Sequence, residues 1–134
     1  MKADLRILAV EDETAVAQFL ALVLCGPKCK VVTARDGRDA LAKIADNPRP
    51  FDIVITDHRM PRMCGLELVR ELRARNFEGK IAVLSAHLNE TVTRDYQEQR
   101  VDVMISKPFD IDHLRRAIDA LAEQIPAYAE REVA

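Results

Sequence analysis

Five short apolar segments recur along the chain at regular intervals, and each is rich in isoleucine, valine and leucine. Most of these segments lack the alternation of apolar and polar residues that marks a strand with one face in water. A continuous apolar run of this length is typical of parallel strands that are buried on both faces of a sheet. We therefore predict five buried strands, over residues 5–10, 30–34, 52–56, 80–85 and 101–106.

Between the strands, apolar residues recur in steps of three and four, which is the spacing of one face of an α-helix. The last of these stripes is the most regular, and Asp110 stands before it as a capping residue. The stripes that predict the first, second, third and fifth helices are formed by Val16, Phe19, Leu20, Val23 and Leu24, by Ala40, Leu41, Ile44 and Ala45, by Leu68, Val69 and Leu72, and by Ile111, Leu114, Ile118, Leu121 and Ile125.

The fourth helix, between Asn89 and Arg100, has a much weaker stripe. Only Val92 and Tyr96 give it an apolar face, although Asn89 is a good residue to cap its start. Two interpretations fit this pattern equally. The segment is a short surface helix with a thin contact stripe, or it is a weakly held element that shifts at low cost in free energy.

Alternation of strand and helix, repeated five times, predicts an α/β fold with a doubly wound, five-stranded parallel sheet. The length of 134 residues suits one domain. We expect a single domain over residues 1–134, with a core of about residues 5–125 and a short C-terminal tail at 126–134. In sheets of this class, functional groups gather beyond the carboxyl ends of the strands. Residues at those ends are therefore the first candidates for chemistry.

The charge balance argues against a nucleic-acid-binding domain, and the lack of long apolar runs argues against a membrane-spanning protein. Lys and Arg total 20 and Asp and Glu total 22, so the net charge is −2. Nucleic-acid-binding domains usually carry a basic excess instead. No apolar run approaches the roughly 20 residues of a membrane-spanning helix, and the polar first residues are unlike a signal peptide. We expect a cytoplasmic protein with no direct nucleic-acid or membrane partner.

Charged and polar residues follow four of the predicted strands. Glu11 and Asp12 follow the first strand, Asp57 the third, Ser85 ends the fourth and Lys107 follows the fifth. Three carboxylates at one rim of a sheet repel one another and raise each other's pKa unless a cation is present. Mg²⁺ is a hard ion that prefers oxygen ligands. The pattern therefore predicts Mg²⁺ held by the three acids.

A phosphoryl group is the ligand that the remaining two residues suggest. The ammonium of Lys107 and the hydroxyl of Ser85, facing a metal-bound carboxylate, would form a site for its oxygens. The chain contains no Gly-x-x-x-x-Gly-Lys-Ser/Thr loop, which argues against a nucleotide cradled in a P-loop. Asp57 is central among these residues and is our candidate for a nucleophile that carries an acyl phosphate.

These residues, in this order and spacing, resemble the receiver domain of two-component response regulators, the CheY-like family. The resemblance covers residues 7 to about 125. Its motifs are Val10-Glu11-Asp12-Glu13, Asp36-Gly37, Asp57-His58-Arg59-Met60-Pro61 with Gly65, Leu84-Ser85-Ala86, and Lys107-Pro108-Phe109.

The resemblance implies a flavodoxin-like (βα)5 fold with strand order 2-1-3-4-5. It also implies that Asp57 accepts a phosphoryl group from a histidine kinase or a histidine phosphotransfer protein. Glu11 and Asp12 would hold Mg²⁺ together with Asp57 and the backbone carbonyl of Arg59.

Further roles follow from the same resemblance. Lys107 would pair with the phosphoryl oxygens, Ser85 would hydrogen-bond the phosphate once it is present, and Pro108 would follow a cis peptide bond that aims the lysine. Phosphorylation would shift the surface around helix 4, strand 5 and helix 5 and so change the binding of a downstream protein that the sequence does not identify, or pairing into a homodimer. The domain would catalyse its own phosphorylation and dephosphorylation without turning over an independent substrate.

Several positions depart from the family pattern. Glu11 replaces the commoner Asp, and its longer side chain still reaches a metal. Met104 stands where many members carry the Tyr or Phe that moves inward with the Ser or Thr. Either Met104 acts as a softer packing switch, or signalling uses another face, or this methionine only fills the core. Arg100 replaces a usual glycine, and if that turn needs a positive φ the local backbone must differ.

The remaining polar residues near the motifs have weaker assignments. Arg59 and His87 lie two residues after Asp57 and Ser85, at positions that tune phosphoryl hydrolysis in the family. A solvated loop position is the plainer interpretation of His87. We expect His58 and His113 to be surface residues rather than metal ligands, because no partner of suitable spacing accompanies them.

The main alternative is a phosphorylation-independent scaffold that binds a partner protein through its fourth and fifth helices. Met104 and Arg100 favour it slightly, and the acidic residues with Ser85 and Lys107 count against it. A phosphatase of the haloacid dehalogenase type would need a second acid where Arg59 stands. A flavodoxin would need a phosphate loop where the acidic residues follow the first strand.

Overall fold

Ten elements alternate between strand and helix along the chain. The structure is a computed structural model that describes residues 5–24, 26, 29–46, 50–86 and 88–125. The elements are β1 (Leu5–Val10), α1 (Thr14–Leu24), β2 (Cys29–Ala34), α2 (Gly37–Asp46), β3 (Ile53–Asp57), α3 (Gly65–Ala74), β4 (Lys80–Ser85), α4 (Glu90–Glu98), β5 (Val103–Ser106) and α5 (Ile111–Glu123).

The strands form one parallel sheet in the order β2-β1-β3-β4-β5. This confirms the predicted doubly wound α/β fold and its strand order. The register brings the carboxyl ends of the strands to one edge, since Val10 pairs with Thr56 and Ser85 pairs with Ser106. Residues just beyond those ends therefore lie side by side.

Two hydrophobic cores lie on opposite faces of the sheet. Successive residues of β1 alternate between them: Ile7 and Ala9 belong to the core with α1 and α5, whereas Leu8 and Val10 belong to the core with α2, α3 and α4. Burying a side chain such as leucine stabilises the fold by about 1.5–3 kcal/mol. Because both faces are covered, the central strands carry apolar residues at most positions.

Three strands differ at their ends from the predicted ranges. β2 begins one residue earlier, and β3 lies one residue later, so that Asp57 pairs with Leu84 inside the sheet. β5 begins at Val103 and not at residue 101. The carboxylate of Asp102 accepts the N–H of Ile81 at 2.8 Å, so a side chain takes the donor that a longer ladder would use.

The backbone at Arg100 corrects one expectation. Arg100 adopts a φ of 57°, so the chain keeps a left-handed turn there without glycine. The guanidinium of Arg73, on α3, supports the turn by donating to the carbonyls of Gln99 at 2.8 Å and Arg100 at 2.7 Å. These bonds satisfy carbonyl groups at the end of α4.

Helix α4 begins as its cap residue predicts, with Asn89 accepting the N–H of Val92 at 2.8 Å. Asp110 caps α5 in the same way through the N–H of Asp112. The predicted tail at 126–134 lies outside the described residues. Among the helices that the structure describes, none combines the length and the apolar character needed to cross a bilayer.

Candidate functional site

Three acidic side chains meet where the carboxyl ends of β1 and β3 lie next to each other. Glu11 and Asp12 follow β1, and Asp57 is the last residue of β3. One carboxylate oxygen from each lies within 4.8 Å of the other two. The chain leaves β1 towards β2 on one side and reaches β3 on the other, and this reversal of strand order opens a crevice at their ends.

Lys107 reaches into this acidic cluster from the far edge of the sheet. Its Nζ lies 3.0 Å from Asp57 Oδ1 and 3.5 Å from Glu11 Oε2. Its backbone N–H donates to the Ser85 carbonyl at 2.9 Å, and its peptide bond to Pro108 is cis. Burial disfavours the charged lysine, but hydrogen bonding and attraction from Asp57 and Glu11 outweigh burial and raise the pKa of Lys107.

Glu11 is the most enclosed member of the cluster, with 2% of its surface exposed. Its Oε1 accepts the N–H of Glu13 at 3.2 Å, whereas its buried Oε2 has no hydrogen-bond donor among the described residues. Burial raises the pKa of Glu11 to about 7, with repulsion from Asp57 adding to it and the Glu13 amide and Lys107 opposing it. A hard cation would supply what this oxygen lacks, so the residues present fit Mg²⁺.

Asp57 is buried and held in one orientation. Its Oδ1 accepts both the backbone N–H of His58, at 2.9 Å, and the ammonium of Lys107. A cleft of about 320 Å³ opens beside it, large enough for a phosphoryl group and water. The cleft is lined by Asp12, Glu13, Asp57, Arg59, Ser85, Ala86 and Lys107.

The other residues singled out from the sequence lie in different surroundings. Ser85 is buried at the end of β4, and Arg59 is exposed at the mouth of the cleft. Met104 is partly buried and packs against the core on the α4 side of the sheet. His113 is exposed, as expected. His87 lies outside the described residues.

Asp36 and Arg62 form a contact that sequence reasoning missed. Asp36 Oδ1 caps α2 by accepting the N–H of Asp39 at 2.8 Å, and Oδ2 accepts Arg62 Nη1 at 2.8 Å. The Asp39 N–H and the Arg62 guanidinium hold the pKa of Asp36 below its usual value, against the effect of burial. The Asp36-Gly37 motif was visible, but nothing in the sequence marked Arg62 as its partner, 26 residues away.

His58 and Tyr96 form a second unexpected contact. The imidazole Nδ1 and the phenol Oη are 2.6 Å apart, and the rings meet edge to face with centroids 5.4 Å apart. His58 is therefore partly buried against α4 and is not a simple surface residue. The two residues are 38 positions apart, and no sequence pattern predicts their pairing.

The proteins and the family model that match this chain all point to one family. The family model for the response regulator receiver domain matches residues 7–119. Response regulator MprA of Mycolicibacterium vanbaalenii is 38% identical over 123 residues, covering 87% of this chain and 49% of that protein. Transcriptional regulatory protein GlrR of Escherichia coli is 33% identical over 126 residues, covering 93% of this chain and 28% of that protein. The chain thus spans about half or less of the length of these relatives.

Solved structures with the same architecture include two of well-matched length. Response regulator protein TrrA from Thermotoga maritima, in complex with Mg²⁺-BeF, has a TM-score of 0.75 at 31% identity and covers 90% of this chain and 99% of that one. Chemotaxis protein CheY4 from Vibrio cholerae has a TM-score of 0.81 at 28% identity and covers 89% of this chain and 99% of that one.

Proposed function

The chain belongs to the response regulator receiver domain family, and from that premise we propose that Asp57 accepts a phosphoryl group in the presence of Mg²⁺. The donor is a histidine kinase or a histidine phosphotransfer protein. The product is a phosphorylation-controlled signalling module whose altered surface a downstream protein binds. We assign this role to residues 1–134 as one receiver domain with its core at 5–125, acting in the cytoplasm.

The observation that carries the proposal is a cluster of three carboxylates, two of which contact the ammonium of Lys107. Asp57 lies 3.0 Å from Lys107 Nζ and shares a cation-sized space with Glu11 and Asp12. A purely structural cluster would be better satisfied by neutral groups, because buried like charges are costly. Within the part of the chain that the structure describes, the buried Glu11 Oε2 accepts no hydrogen bond and has only the Lys107 ammonium at 3.5 Å, which supports a bound cation as a further partner.

Glu11, Asp12 and Asp57, with the backbone carbonyl of Arg59, are the groups that we propose hold Mg²⁺. When bound, the ion neutralises carboxylates and phosphoryl oxygens and so lowers the repulsion between them.

Phosphoryl transfer then follows from the orientation of Asp57. Two donors already occupy Oδ1, so we assign the attack on phosphorus to Oδ2. A bond forms between Oδ2 and phosphorus, and the bond from phosphorus to the donor's imidazole nitrogen breaks, with its electron pair leaving on that nitrogen. Lys107 turns from Asp57 to the phosphoryl oxygens, and Ser85 donates its hydroxyl to one of them. In hydrolysis, a bond forms between the water oxygen and phosphorus, the bond from phosphorus to Oδ2 breaks with its electron pair staying on Asp57, and inorganic phosphate leaves with the water protons. Arg59, at the cleft mouth, tunes the access of that water.

A protein donor also needs a surface beside the cleft. An apolar groove of about 380 Å³ borders Lys107 and is lined by Ala15, Val16, Phe19, Lys107, Pro108 and Phe109. Leu22, one turn further along α1, is 78% exposed. Exposed apolar residues grouped together mark contact surfaces, and we assign the histidine donor to this face.

We assign the downstream partner, or a second copy of the chain, to the surface of α4, β5 and α5.

The test of the proposed function is Mg²⁺-dependent uptake of labelled phosphate from acetyl phosphate. We expect uptake in the wild-type protein, its loss in Asp57→Asn, and its retention in Asp52→Asn. Asp52 is a matched control because it precedes the same strand at the opposite end, where its carboxylate accepts the N–H of Arg6. Equal uptake by Asp57→Asn and the wild-type protein would refute the assignment.

A phosphorylation-independent scaffold is the second candidate, and the observation in its favour is Met104 at the position of the family's switch aromatic. Titration with Mg²⁺ discriminates the two functions. The receiver predicts chemical-shift changes of the backbone amides near Asp57, and the scaffold predicts none.

A further inference from the structure

Helix α4 has one fully buried side chain, with Val92 packing beside it as a partly buried residue. Tyr96 is the single buried residue of Glu90–Glu98 and is fully enclosed. The C-terminal end of the helix is fixed separately by the Arg73 guanidinium on the Gln99 and Arg100 carbonyls. The position of the Tyr96 ring therefore determines where the middle of α4 lies on the domain.

The Tyr96 hydroxyl has a specific partner in the core. Its Oη lies 2.6 Å from His58 Nδ1. Burial raises the pKa of Tyr96, so the phenol keeps its proton, and we assign the hydroxyl as the donor to Nδ1, with the imidazole hydrogen on Nε2. Gly65 leaves room for this contact, because a Cβ there would lie 2.7 Å from Tyr96 Oη and would overlap the Asp57 carbonyl oxygen.

His58 also contacts the phosphoacceptor directly. Its backbone N–H donates to Asp57 Oδ1 at 2.9 Å and is shared with the Leu84 carbonyl at 3.0 Å. Its carbonyl accepts the N–H of Gly65 at 2.8 Å. One residue thus bonds to Asp57 through its backbone and to α4 through its side chain.

We propose that His58 and Tyr96 are positioning residues that couple the phosphorylation state of Asp57 to helix α4. The inference rests on the proposed function. When Oδ2 of Asp57 carries phosphorus, Oδ1 changes from a charged carboxylate oxygen to a neutral carbonyl oxygen. A hydrogen bond to a charged acceptor is roughly twice as strong as a neutral one. The His58 N–H therefore loses its stronger acceptor, and the imidazole carries the altered backbone position to the Tyr96 hydroxyl.

Met104 does not offer an equivalent connection. It is partly buried in the same core as Tyr96, but a thioether is at most a weak hydrogen-bond acceptor and donates nothing. Its flexible side chain adapts to neighbouring shifts instead of transmitting them. The polar path from the acceptor to α4 runs through His58.

The first test uses Tyr96→Phe, which removes the hydroxyl and keeps the ring. Backbone amide shifts are recorded by NMR before and after adding Mg²⁺ and beryllofluoride, a mimic of the phosphoryl group. We expect shift changes around Asp57 equal to those of the wild-type protein. In residues 90–98 we expect clearly smaller shift changes than in the wild-type protein, because the hydrogen bond that connects α4 to His58 is absent. Tyr128→Phe makes the same chemical change in the chain's other tyrosine and should leave both responses unchanged.

The second test uses two substitutions of His58. In His58→Asn the amide oxygen can take the place of Nδ1, so an acceptor for the Tyr96 hydroxyl is kept. In His58→Leu it is lost. We expect the response of α4 to be retained in the first variant and reduced in the second. Equal loss in both would mean that His58 acts by packing alone and would overturn the proposal.

The outcomes separate this inference from the proposed function. Normal shifts around Asp57 with a full α4 response in Tyr96→Phe would overturn the coupling alone. Loss of the α4 response in Met104→Leu, with retention in Tyr96→Phe, would assign the coupling to Met104 instead. No shifts around Asp57 in the wild-type protein would overturn the proposed function and the coupling with it.

Discussion

Of the two carboxylates that contact Lys107, Glu11 is the one whose charge the lysine compensates less well. Its buried Oε2 lies 3.5 Å from Lys107 Nζ, while Asp57 holds the same ammonium at 3.0 Å. One ammonium group therefore pairs with two carboxylates, and its ion pair with Glu11 is the longer and weaker one. Its raised pKa follows from burial and this incomplete compensation. A cation that binds the cluster must displace the proton of Glu11 at pH values below about 7.

Asp36 provides a prediction of pH-dependent stability at a residue outside the acidic cluster. We expect Asp36→Ala to lower the free energy of unfolding by about 1–2 kcal/mol at pH 7, because α2 loses its cap and Arg62 loses its partner. The native pKa of Asp36 lies below its usual 3.8. The carboxylate therefore contributes fully above about pH 3.8, and its contribution is lost as the pH falls through the lower native pKa. Urea unfolding at a series of pH values measures the difference.

The control for this prediction is Asp46→Ala at the exposed end of the same helix. We expect it to change the free energy of unfolding by less than about 0.5 kcal/mol at every pH. A difference between Asp36→Ala and the wild-type protein that stays constant from neutral to acid pH would contradict the role of the Asp36 charge.

At the same scale, the sequence predicted the acids and the lysine but not their supporting contacts. Glu11, Asp57 and Lys107 stand at strand ends, and parallel pairing alone brings strand ends together. The contacts of Asp36 with Arg62 and of His58 with Tyr96 join loops and helices 26 and 38 residues apart. Their geometry depends on helix packing, which no local pattern encodes.

At the scale of elements, α4 combines a secure end with a sparsely buried middle. The Arg100 turn keeps a φ of 57°, a conformation that disfavours side chains with a Cβ. The guanidinium of Arg73, on α3, offsets this strain by donating hydrogen bonds to the carbonyls of Gln99 and Arg100. The structure shows a short helix with a thin apolar stripe, fixed at its end by contacts that the stripe does not reveal, and the shift of α4 that the sequence left open stays a prediction.

This turn yields a matched pair of predictions. We expect Arg100→Gly to raise the free energy of unfolding by about 0.5 kcal/mol, since glycine removes the strain of positive φ while losing some chain entropy. Gln99 has a φ of −88°, so Gln99→Gly should lower it by about 0.5–1 kcal/mol. Both variants keep the carbonyls that accept from Arg73. Urea unfolding of the two variants in parallel gives the comparison, and a loss of stability in Arg100→Gly would show that the turn is not strained.

The sequence predicted which segments are strands more accurately than it predicted where each strand begins and ends. Continuous apolar runs gave all five strands, because the sheet is covered on both faces. They overran the start of β5, where Val101 donates its N–H to the Tyr96 carbonyl at the end of α4. Hydrophobicity reports burial, and burial does not separate a strand from the packed turn before it.

For the whole molecule, the strand order places two different surfaces around one cleft. The groove beside α1 borders Lys107 and is lined by residues of α1 and of the loop after β5, whereas α4 packs against the opposite face of the sheet from α1. The proposal assigns the donor to the first and the downstream partner to the second. Input and output would then not compete for the same residues.

This division predicts how donors respond to a change on α1. We expect Leu22→Asp to slow phosphoryl transfer from a cognate phosphorylated histidine protein by about tenfold, through the loss of one apolar contact at an interface, while uptake from acetyl phosphate is unchanged. Ala74→Asp places the same charge at an exposed position of α3 and should affect neither reaction. Transfer assays against a panel of purified histidine kinases provide the donor, and equal slowing with both donors would contradict a docking role.

The central claim, that Asp57 carries the phosphoryl group, is tested most directly by locating the modification. The protein is incubated with Mg²⁺ and acetyl phosphate, reduced with borohydride, which converts an aspartyl phosphate to homoserine, and mapped by mass spectrometry. The account predicts homoserine at position 57 and at no other acid, and its disappearance when EDTA replaces Mg²⁺. Homoserine at a different position, or an unmodified Asp57 in a protein that has taken up phosphate, would contradict it.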